Sequence, residues 1–77
     1  MTEMIERIVK MLVDNPEEVA IKEVVGNNVR IYELKVAKSD FGKVIGKHGQ
    51  TIGAIRILLT AASAAKDRHR CILEIIE

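Results

Sequence analysis

Apolar residues near the start of the chain recur at the spacing of an amphipathic helix. At about 100° per residue they fall on one arc, while charged residues occupy the other. The apolar members of that arc are Met4, Ile5, Ile8, Val9, Met11, Leu12 and Val13. Thr2 can cap the first turn and Asn15-Pro16 is typical of a helix end, so we expect a helix between them whose methionines fill the core.

The next two apolar stretches are rich in β-branched residues and predict a hairpin. They span Val19–Val25 and Val29–Val36, and the Gly-Asn-Asn between them favours a turn because glycine and asparagine tolerate positive φ. In the second stretch the apolar phase changes between Ile31 and Tyr32. This change indicates either a bulge or a strand that is apolar on both faces at one end.

The second half of the chain begins with two predicted helices. Ser39 or Asp40 can cap a short helical turn over Phe41–Ile45, and a longer helix begins at Gln50 and ends near Ala65. The core stripe that we expect on the longer helix consists of Ile52, Ile55, Leu58, Leu59 and Ala62.

A basic turn over residues 66–70 and a strand over Cys71–Ile76 complete the pattern. The element order is therefore α-β-β-α-α-β, which predicts an α+β fold in a single domain over residues 1–77. Because two helices make a crossover of sufficient length, the strands before and after them can pair in parallel.

Length and composition exclude several classes of protein. The 77 residues suit one small domain, too short for a doubly wound nucleotide-binding fold or a TIM barrel. One cysteine and two histidines cannot fill a tetrahedral zinc site without other ligands, so we expect neither a metal nor another cofactor. No apolar run approaches the roughly 18 residues of a membrane span. The charged first 14 residues do not resemble a signal peptide, so we expect a cytoplasmic protein with no membrane partner.

The distribution of charge says more than the formal net charge of +1. Residues 35–70 carry eight Lys or Arg against two Asp, whereas residues 1–34 carry four basic and seven acidic side chains. A segregated basic middle can present one positive face, which suits an anionic partner. An uneven but solvated surface is the alternative, and charge alone does not decide between the two.

Two glycines flank a basic pair at residues 46–49, between the two predicted helices. Glycine lets the backbone turn sharply, and N–H groups at the start of the following helix favour phosphate. Lys47 adds a cation and His48 adds a hydrogen-bond donor. The spacing from Gly42 and the absence of Ser or Thr after Lys47 exclude an NTPase P-loop. The segment predicts a phosphate grip, although the tetrad alone is equally typical of a plain turn between helices.

The residues around this tetrad favour the phosphate interpretation. The run Val44-Ile45-Gly46-Lys47-His48-Gly49, followed by Ile52, resembles the signature of KH domains, whose loop clamps about four nucleotides of a single strand. The helix and strand that precede the β-α-α-β unit resemble the type II KH arrangement, which implies a three-stranded mixed sheet packed against three helices. Residues 42–56 are similar to the small stand-alone KH proteins of the bacterial KhpA family.

The resemblance implies roles for individual residues. The implied RNA-binding set is Lys43, Val44, Ile45, Gly46, Lys47, His48, Gly49, Ile52 and Arg56. Within it the glycines would shape the loop, Lys47 and His48 would face phosphates, and the aliphatic residues would line or support a groove for bases. Lys43 would be a further phosphate neighbour. Arg56 either reaches the nucleic acid or stays solvated or salt-bridged on the polar side of its helix.

A second flank of the long helix combines small residues with one large apolar residue. Its members are Gly53, Ala54, Ile57, Ala61 and Ala64. Small residues permit close approach of another helix, so a homodimer centred on Ile57 and Ala61 is one interpretation, and packing inside the monomer is the other. The family resemblance implies self-association and pairing with a larger bacterial protein that carries a KH domain.

The leading functional prediction is a protein that binds single-stranded RNA. The resemblance implies an RNA chaperone or post-transcriptional regulator linked to cell elongation and envelope control. The alternative is a protein-interaction adaptor that uses the fold mainly for homo- or heterodimerisation. A small enzyme is the third possibility and is not expected, because Ser39, Asp40 and His48 form no recognised catalytic motif and the sequence contains no nucleophile elbow.

Overall fold

The computed structural model describes residues 2–66 and 70–76, and of Lys66 only the backbone. Its helices and strands follow the predicted order: α1 Thr2–Leu12, β1 Ala20–Gly26, β2 Val29–Lys35, α2 Phe41–Ile45, α3 Gln50–Lys66 and β3 Arg70–Ile76. Short 3₁₀ turns at Pro16–Glu18, Lys38–Asp40 and Lys47–Gly49 join them. Of the basic turn predicted at residues 66–70, residues 67–69 lie outside the described part. In the described ranges, no helix combines the length and apolar character needed to cross a membrane.

β2 is the central strand of the three-stranded sheet. β1 pairs with it in antiparallel orientation, from Ala20 opposite Lys35 to Gly26 opposite Val29. β3 pairs with the other edge in parallel orientation, with Arg70 also opposite Val29. The predicted parallel pairing is confirmed, since α2 and α3 supply the crossover that two parallel strands require.

The three helices pack against one face of this sheet. Tyr32 and Leu34 of β2 and Leu73 of β3 point into that face and are buried. The rest of the buried core comes from all three helices and from the residue directly after β2: Ile5, Val9, Val36, Val44, Ile52, Ile55 and Leu59. The type II KH architecture expected from the sequence is therefore confirmed.

The change of apolar phase in β2 is not a bulge. The pairing with β1 runs without interruption past Ile31 and Tyr32. Tyr32 is buried on the helix-covered face, whereas Ile31 lies half-buried on the open face, in one cross-strand row with Val24 and Ile72. The second alternative is correct, because this end of β2 is apolar on both faces.

Two residues expected in the core lie at the surface. Met11 is 79% exposed because α1 buries only the narrow stripe through Ile5 and Val9. Leu58 of α3 is 54% exposed, although the predicted stripe residue Leu59 beside it is fully buried. The apolar arcs seen in the sequence are wider than the strips of helix surface that the sheet can cover.

Asp40 occupies the N-cap position of α2, as one of the two predicted residues, but its side chain forms no capping hydrogen bond there. Its buried carboxylate instead accepts hydrogen bonds from the backbone N–H groups of Asp14, at 3.2 Å, and Asn15, at 2.9 Å. The Asn15 side-chain amide donates a third hydrogen bond, at 3.1 Å. Asp40 thus ties the segment after α1 to the start of α2, and α1 ends at Leu12, ahead of the expected Asn15 boundary.

Candidate nucleic-acid interface

The loop between α2 and α3 turns the chain sharply at Gly46. This residue has φ 77° and ψ 173°, and its N–H donates to the Gly42 carbonyl at 2.9 Å, which closes the last turn of α2. The 3₁₀ turn Lys47–Gly49 follows directly, with the Gly49 N–H donating to the Gly46 carbonyl at 3.2 Å, and α3 begins at the next residue. Two helices therefore meet at a loop only four residues long.

Both glycines of the loop have conformations that suit only glycine well. A Cβ on Gly46 would lie 2.6 Å from Thr51 Cβ and 2.8 Å from Thr51 N, closer than real side chains approach. Gly49 has open space around it, but its φ of 73° is disfavoured for other residues. His48, between them, adopts a left-handed conformation with φ 56° and ψ 28°. Such a conformation costs a non-glycine residue roughly 1–2 kcal/mol, a strain that is typical of functional loops.

Lys47 and His48, the two side chains at the tip of this loop, are exposed. Neither Lys47 nor His48 forms a side-chain hydrogen bond or ion pair with any residue in the ranges 2–66 and 70–76. The first turn of the 17-residue helix α3 lies directly behind them. Its free N–H groups and the positive end of the helix dipole favour an anion at the same place.

Lys43, expected beside the phosphates, is instead held by two carboxylates. Its ammonium group forms an ion pair with Asp14 and lies 3.8 Å from Asp40 Oδ1. The hydrogen bond to Asp14 is the main cause of a pKa for Lys43 above its usual value. Lys43 therefore helps to join the segment after α1 to α2, and its ammonium group already has two carboxylate neighbours.

The buried carboxyl of Asp40 completes this junction. Burial acts to raise the pKa of Asp40, but the hydrogen bonds from Asp14 and Asn15 and the charge of Lys43 outweigh it, and the pKa is lowered. The sequence analysis missed this role. The partners are 25 and 26 residues away in the chain, so no local spacing could have indicated them.

Arg56 also has an internal partner. Its Nε and Nη2 atoms donate to the carbonyl oxygen of Leu73 in β3, at 3.3 and 3.0 Å. The arginine is neither simply solvated nor salt-bridged, and it joins α3 to the edge strand of the sheet. A role in binding RNA would have to be performed from this anchored position.

The aliphatic residues expected at the RNA-binding site differ in how deeply they are buried. Val44 and Ile52 are buried in the core and support the loop from beneath. Ile45, the last residue of α2, is half-buried and keeps apolar surface accessible next to the loop. An aliphatic groove for bases, as the resemblance implies, would therefore begin at Ile45.

The predicted dimer flank of α3 is a surface of the monomer. Ile57 is 72% exposed, and Ala54, Ala61 and Ala64 are exposed as well, whereas Gly53 is half-buried. Packing of Ile57 inside the monomer, the alternative left open by the sequence, is thereby excluded. The loop lies at the N-terminus of α3 and this flank lies along its side, so the two are different surfaces of the molecule.

Comparison with known proteins identifies the fold family. The model of the family described as KhpA/KhpB, KH domain, matches residues 2–75 of the chain. The chain belongs to this family. Membership of the KhpA/KhpB family accounts for the α-β-β-α-α-β order, the mixed sheet and the glycine-bounded loop as parts of one KH domain.

Individual relatives are similar over nearly their whole length, and each carries the name RNA-binding protein KhpA. The relative from Chlamydia trachomatis serovar D is 57% identical over 77 residues, all of this chain and 97% of its own. That from Caldanaerobacter subterraneus subsp. tengcongensis is 51% identical over 76 residues, 99% of this chain and 100% of its own. That from Borreliella burgdorferi is 48% identical over 75 residues, which are 97% of this chain and 90% of its own. No solved structure matches the chain significantly.

The loop of residues 46–49 exposes groups that can contact an anion. In the part of the chain that the structure describes, no three His, Cys, Asp or Glu residues come together as a metal-binding group. The loop offers backbone N–H groups, one ammonium and one imidazole, all of which can contact phosphate oxygens.

Proposed function

We propose that this protein binds single-stranded RNA through the loop of residues 46–49, without catalysis. The observation that carries the proposal is the loop itself: a glycine-shaped turn that presents two uncommitted side chains, Lys47 and His48, at the N-terminus of α3. The family and the names of its relatives support RNA as the ligand. Residues 1–77 would form one RNA-binding domain.

Binding would combine a phosphate grip with a sequence-tolerant aliphatic groove. Phosphates would contact Lys47, His48 and the N–H groups of the first turn of α3, while bases would lie against Ile45. With 3% aromatic residues, the protein cannot form the multi-ring stacking surface of an RRM or OB-type domain. Affinity for one domain should therefore be modest.

The test is fluorescence anisotropy with a labelled single-stranded RNA. The double variant Lys47→Asp, His48→Asp should lose binding while its circular dichroism spectrum stays unchanged. The matched control is Arg7→Asp, Lys22→Asp, because these exposed residues of α1 and β1 form no ion pair within the described ranges. Equal binding by the parent and the loop variant would refute the loop as the RNA site.

We further propose that α3 mediates self-association through the flank centred on Ile57 and Ala61. Small residues around an exposed isoleucine allow a second helix to approach closely, and dimerisation would link two weak RNA grips and raise avidity. Sedimentation equilibrium at high micromolar concentration should show a dimer for the parent and a monomer for Ile57→Glu. A monomeric mass for the parent protein would contradict the proposed homodimer.

The same flank makes an adaptor function the second candidate. The family model covers KhpA and KhpB together, which supports pairing with a larger KH-domain protein through this surface. If the protein is mainly an adaptor, the loop variant Lys47→Asp, His48→Asp will keep partner binding and phenotype, while Ile57→Glu will lose both.

The cellular role that we propose is that of a cytoplasmic RNA chaperone or post-transcriptional regulator, linked to cell elongation and envelope control. Resemblance to the bacterial family supports it. Cells that carry only the loop variant should then show the same RNA and cell-shape changes as cells without the protein.

A further inference from the structure

A cleft outside the loop lies at the opposite end of α2. It encloses about 560 Å³ between the 3₁₀ turn before β1, the end of β2 and the start of α2. This volume falls within the roughly 300–1,000 Å³ that is common for small-ligand sites. Its lining residues are Glu18, Lys35, Val36, Ala37, Lys38 and Phe41.

The charged side chains around this cleft have no partners among the residues that the structure describes. Lys35 and Lys38 are exposed, and neither they nor Glu18 forms a side-chain hydrogen bond or ion pair with residues 2–66 or 70–76. Lys43 and Arg56, in contrast, are both engaged within the protein. The wall of the cleft thus carries an uncommitted excess of positive charge, which suits an anionic ligand.

The cleft also contains the sole phenylalanine of the chain. Phe41 is half-buried and lies outside the buried core cluster, so its side chain contributes to the surface of the cleft. A cleft lined by an aromatic side chain and by lysines suits a nucleotide, since the ring can contact the base and the cations can contact the phosphate.

Phe41 in the cleft and Ile45 beside the loop lie on the same face of α2. Phe41 and Ile45 are four residues apart, and residues at this spacing lie on one face of a helix. Gly46 follows Ile45, so the start of α2 and the loop are separated by about 7.5 Å along the helix axis, at 1.5 Å per residue. A strand held at the loop and passing over Ile45 would be directed toward the cleft.

We propose that this cleft is a second nucleotide subsite for the RNA strand bound at the loop. The base lies against Phe41, Lys35 and Lys38 hold the adjoining phosphate, and the Glu18 carboxylate, which only accepts hydrogen bonds, favours a base with an amino group. The proposal rests on the proposed function of the loop, and it extends the bound strand beyond the four nucleotides that such a loop grips.

The test compares RNAs of two lengths. A uridine tetramer is extended by two adenosines at its 5′ or its 3′ end, and affinities are measured by competition in fluorescence anisotropy. One extension should improve binding by the parent at least about fivefold, the lower end of the gain from stacking one base on an aromatic side chain. Phe41→Leu and Lys38→Gln should remove most of this gain and leave tetramer binding unchanged.

Controls separate this proposal from that for the loop. Lys22→Gln, on the open face of the sheet, should behave as the parent with both RNAs. In an NMR titration the amide signals of Ala37 and Lys38 should shift with the extended RNA and stay in place with the tetramer; this second readout does not depend on how Phe41→Leu folds.

Each remaining outcome overturns one proposal. The cleft is not a nucleotide subsite if the extensions give no gain in affinity, or if Phe41→Leu and Lys38→Gln retain that gain. The loop proposal still stands in either case, provided that Lys47→Asp, His48→Asp abolishes all binding. If the cleft variants lower affinity for both RNAs while the loop variant binds as the parent does, the loop is not the RNA site.

Discussion

Gly46 is the residue on which the shape of the loop depends most. Its φ of 77° and ψ of 173° belong to a region that only glycine occupies without strain, and Thr51 occupies the space that a Cβ would need. Gly42, one turn earlier in α2, differs in both respects, because a Cβ there would meet nothing within 4 Å. The two glycines make a matched pair for substitution.

We expect Gly46→Ala to lower the free energy of unfolding by about 1–3 kcal/mol, the usual cost of such a conformation for a non-glycine residue. Gly42→Ala should raise it by roughly 0.5–1 kcal/mol, because alanine is the better helix former. Urea denaturation followed by circular dichroism measures both. Similar changes in the two variants would contradict the conformational explanation.

Because of Asp40, we expect the free energy of unfolding to fall as the pH becomes acidic. The pKa of Asp40 is lowered in the folded protein, so its contribution is complete above the ordinary value of about 3.8 and is lost as the pH falls through the folded value. Asp40→Asn should therefore be less stable than the parent at pH 7, and the difference should shrink below pH 3.8.

The control for this pH dependence is Asp14→Asn. This variant loses the ion pair to Lys43 but keeps the backbone hydrogen bonds to Asp40, so its stability should stay closer to that of the parent. Thermal melts between pH 2.5 and 7 distinguish the variants. A constant difference between Asp40→Asn and the parent over that range would exclude ionisation as the cause.

Among the elements, α3 combines three roles on three different parts of its surface. One side packs Ile52, Ile55 and Leu59 into the core, its first turn lies behind the loop, and a third side exposes Ile57. A helix that packs on one side only can present its other surfaces to ligands without loss of the core.

Gly53 shows that α3 is not optimised as an isolated helix. A Cβ at Gly53 would meet nothing within 4 Å among the described residues, so no close contact with them requires a glycine. Gly53→Ala should raise the free energy of unfolding by about 0.5–1 kcal/mol at concentrations at which the protein is monomeric. Denaturation at low micromolar concentration tests this, and a loss of stability would show that the site is tighter than its geometry indicates.

At the scale of the whole molecule, the fold decides which basic side chains form contacts within the protein and which remain exposed to solvent. Lys10, Lys43 and Arg56 are occupied by contacts within the protein, whereas Lys47 is left to the solvent. Affinity for RNA should therefore depend on a few specific cations rather than on the net charge of +1.

The salt dependence of RNA binding measures the number of these cations. Two or three phosphate contacts give a slope of log affinity against log salt near −1.4 to −2.1, because each contact with a single strand adds roughly −0.7. Lys47→Gln should make the slope shallower by about 0.7, and Lys22→Gln should leave it unchanged. Anisotropy titrations at several salt concentrations give the slopes, and an unchanged slope in Lys47→Gln would contradict a phosphate contact there.

The sequence by itself determined the types and order of the elements and the position of the loop. The spacing of apolar residues and the content of β-branched residues are local properties of the sequence. The ends of α1, the hairpin strands and α3 could therefore be predicted to within a few residues. The loop was predictable for the same reason, because its glycines are required by the conformation of their own backbone.

Only the tertiary structure decided which side chains remain available. Lys43 and Lys47 look alike in the sequence, yet Lys43 pairs with Asp14 from the segment after α1, whereas Lys47 forms no ion pair within the described ranges. Met11 and Leu58 lie on apolar arcs but outside the strips that the sheet covers. Pairing and burial depend on neighbours that the fold brings from far along the chain, and local spacing carries no information about those neighbours.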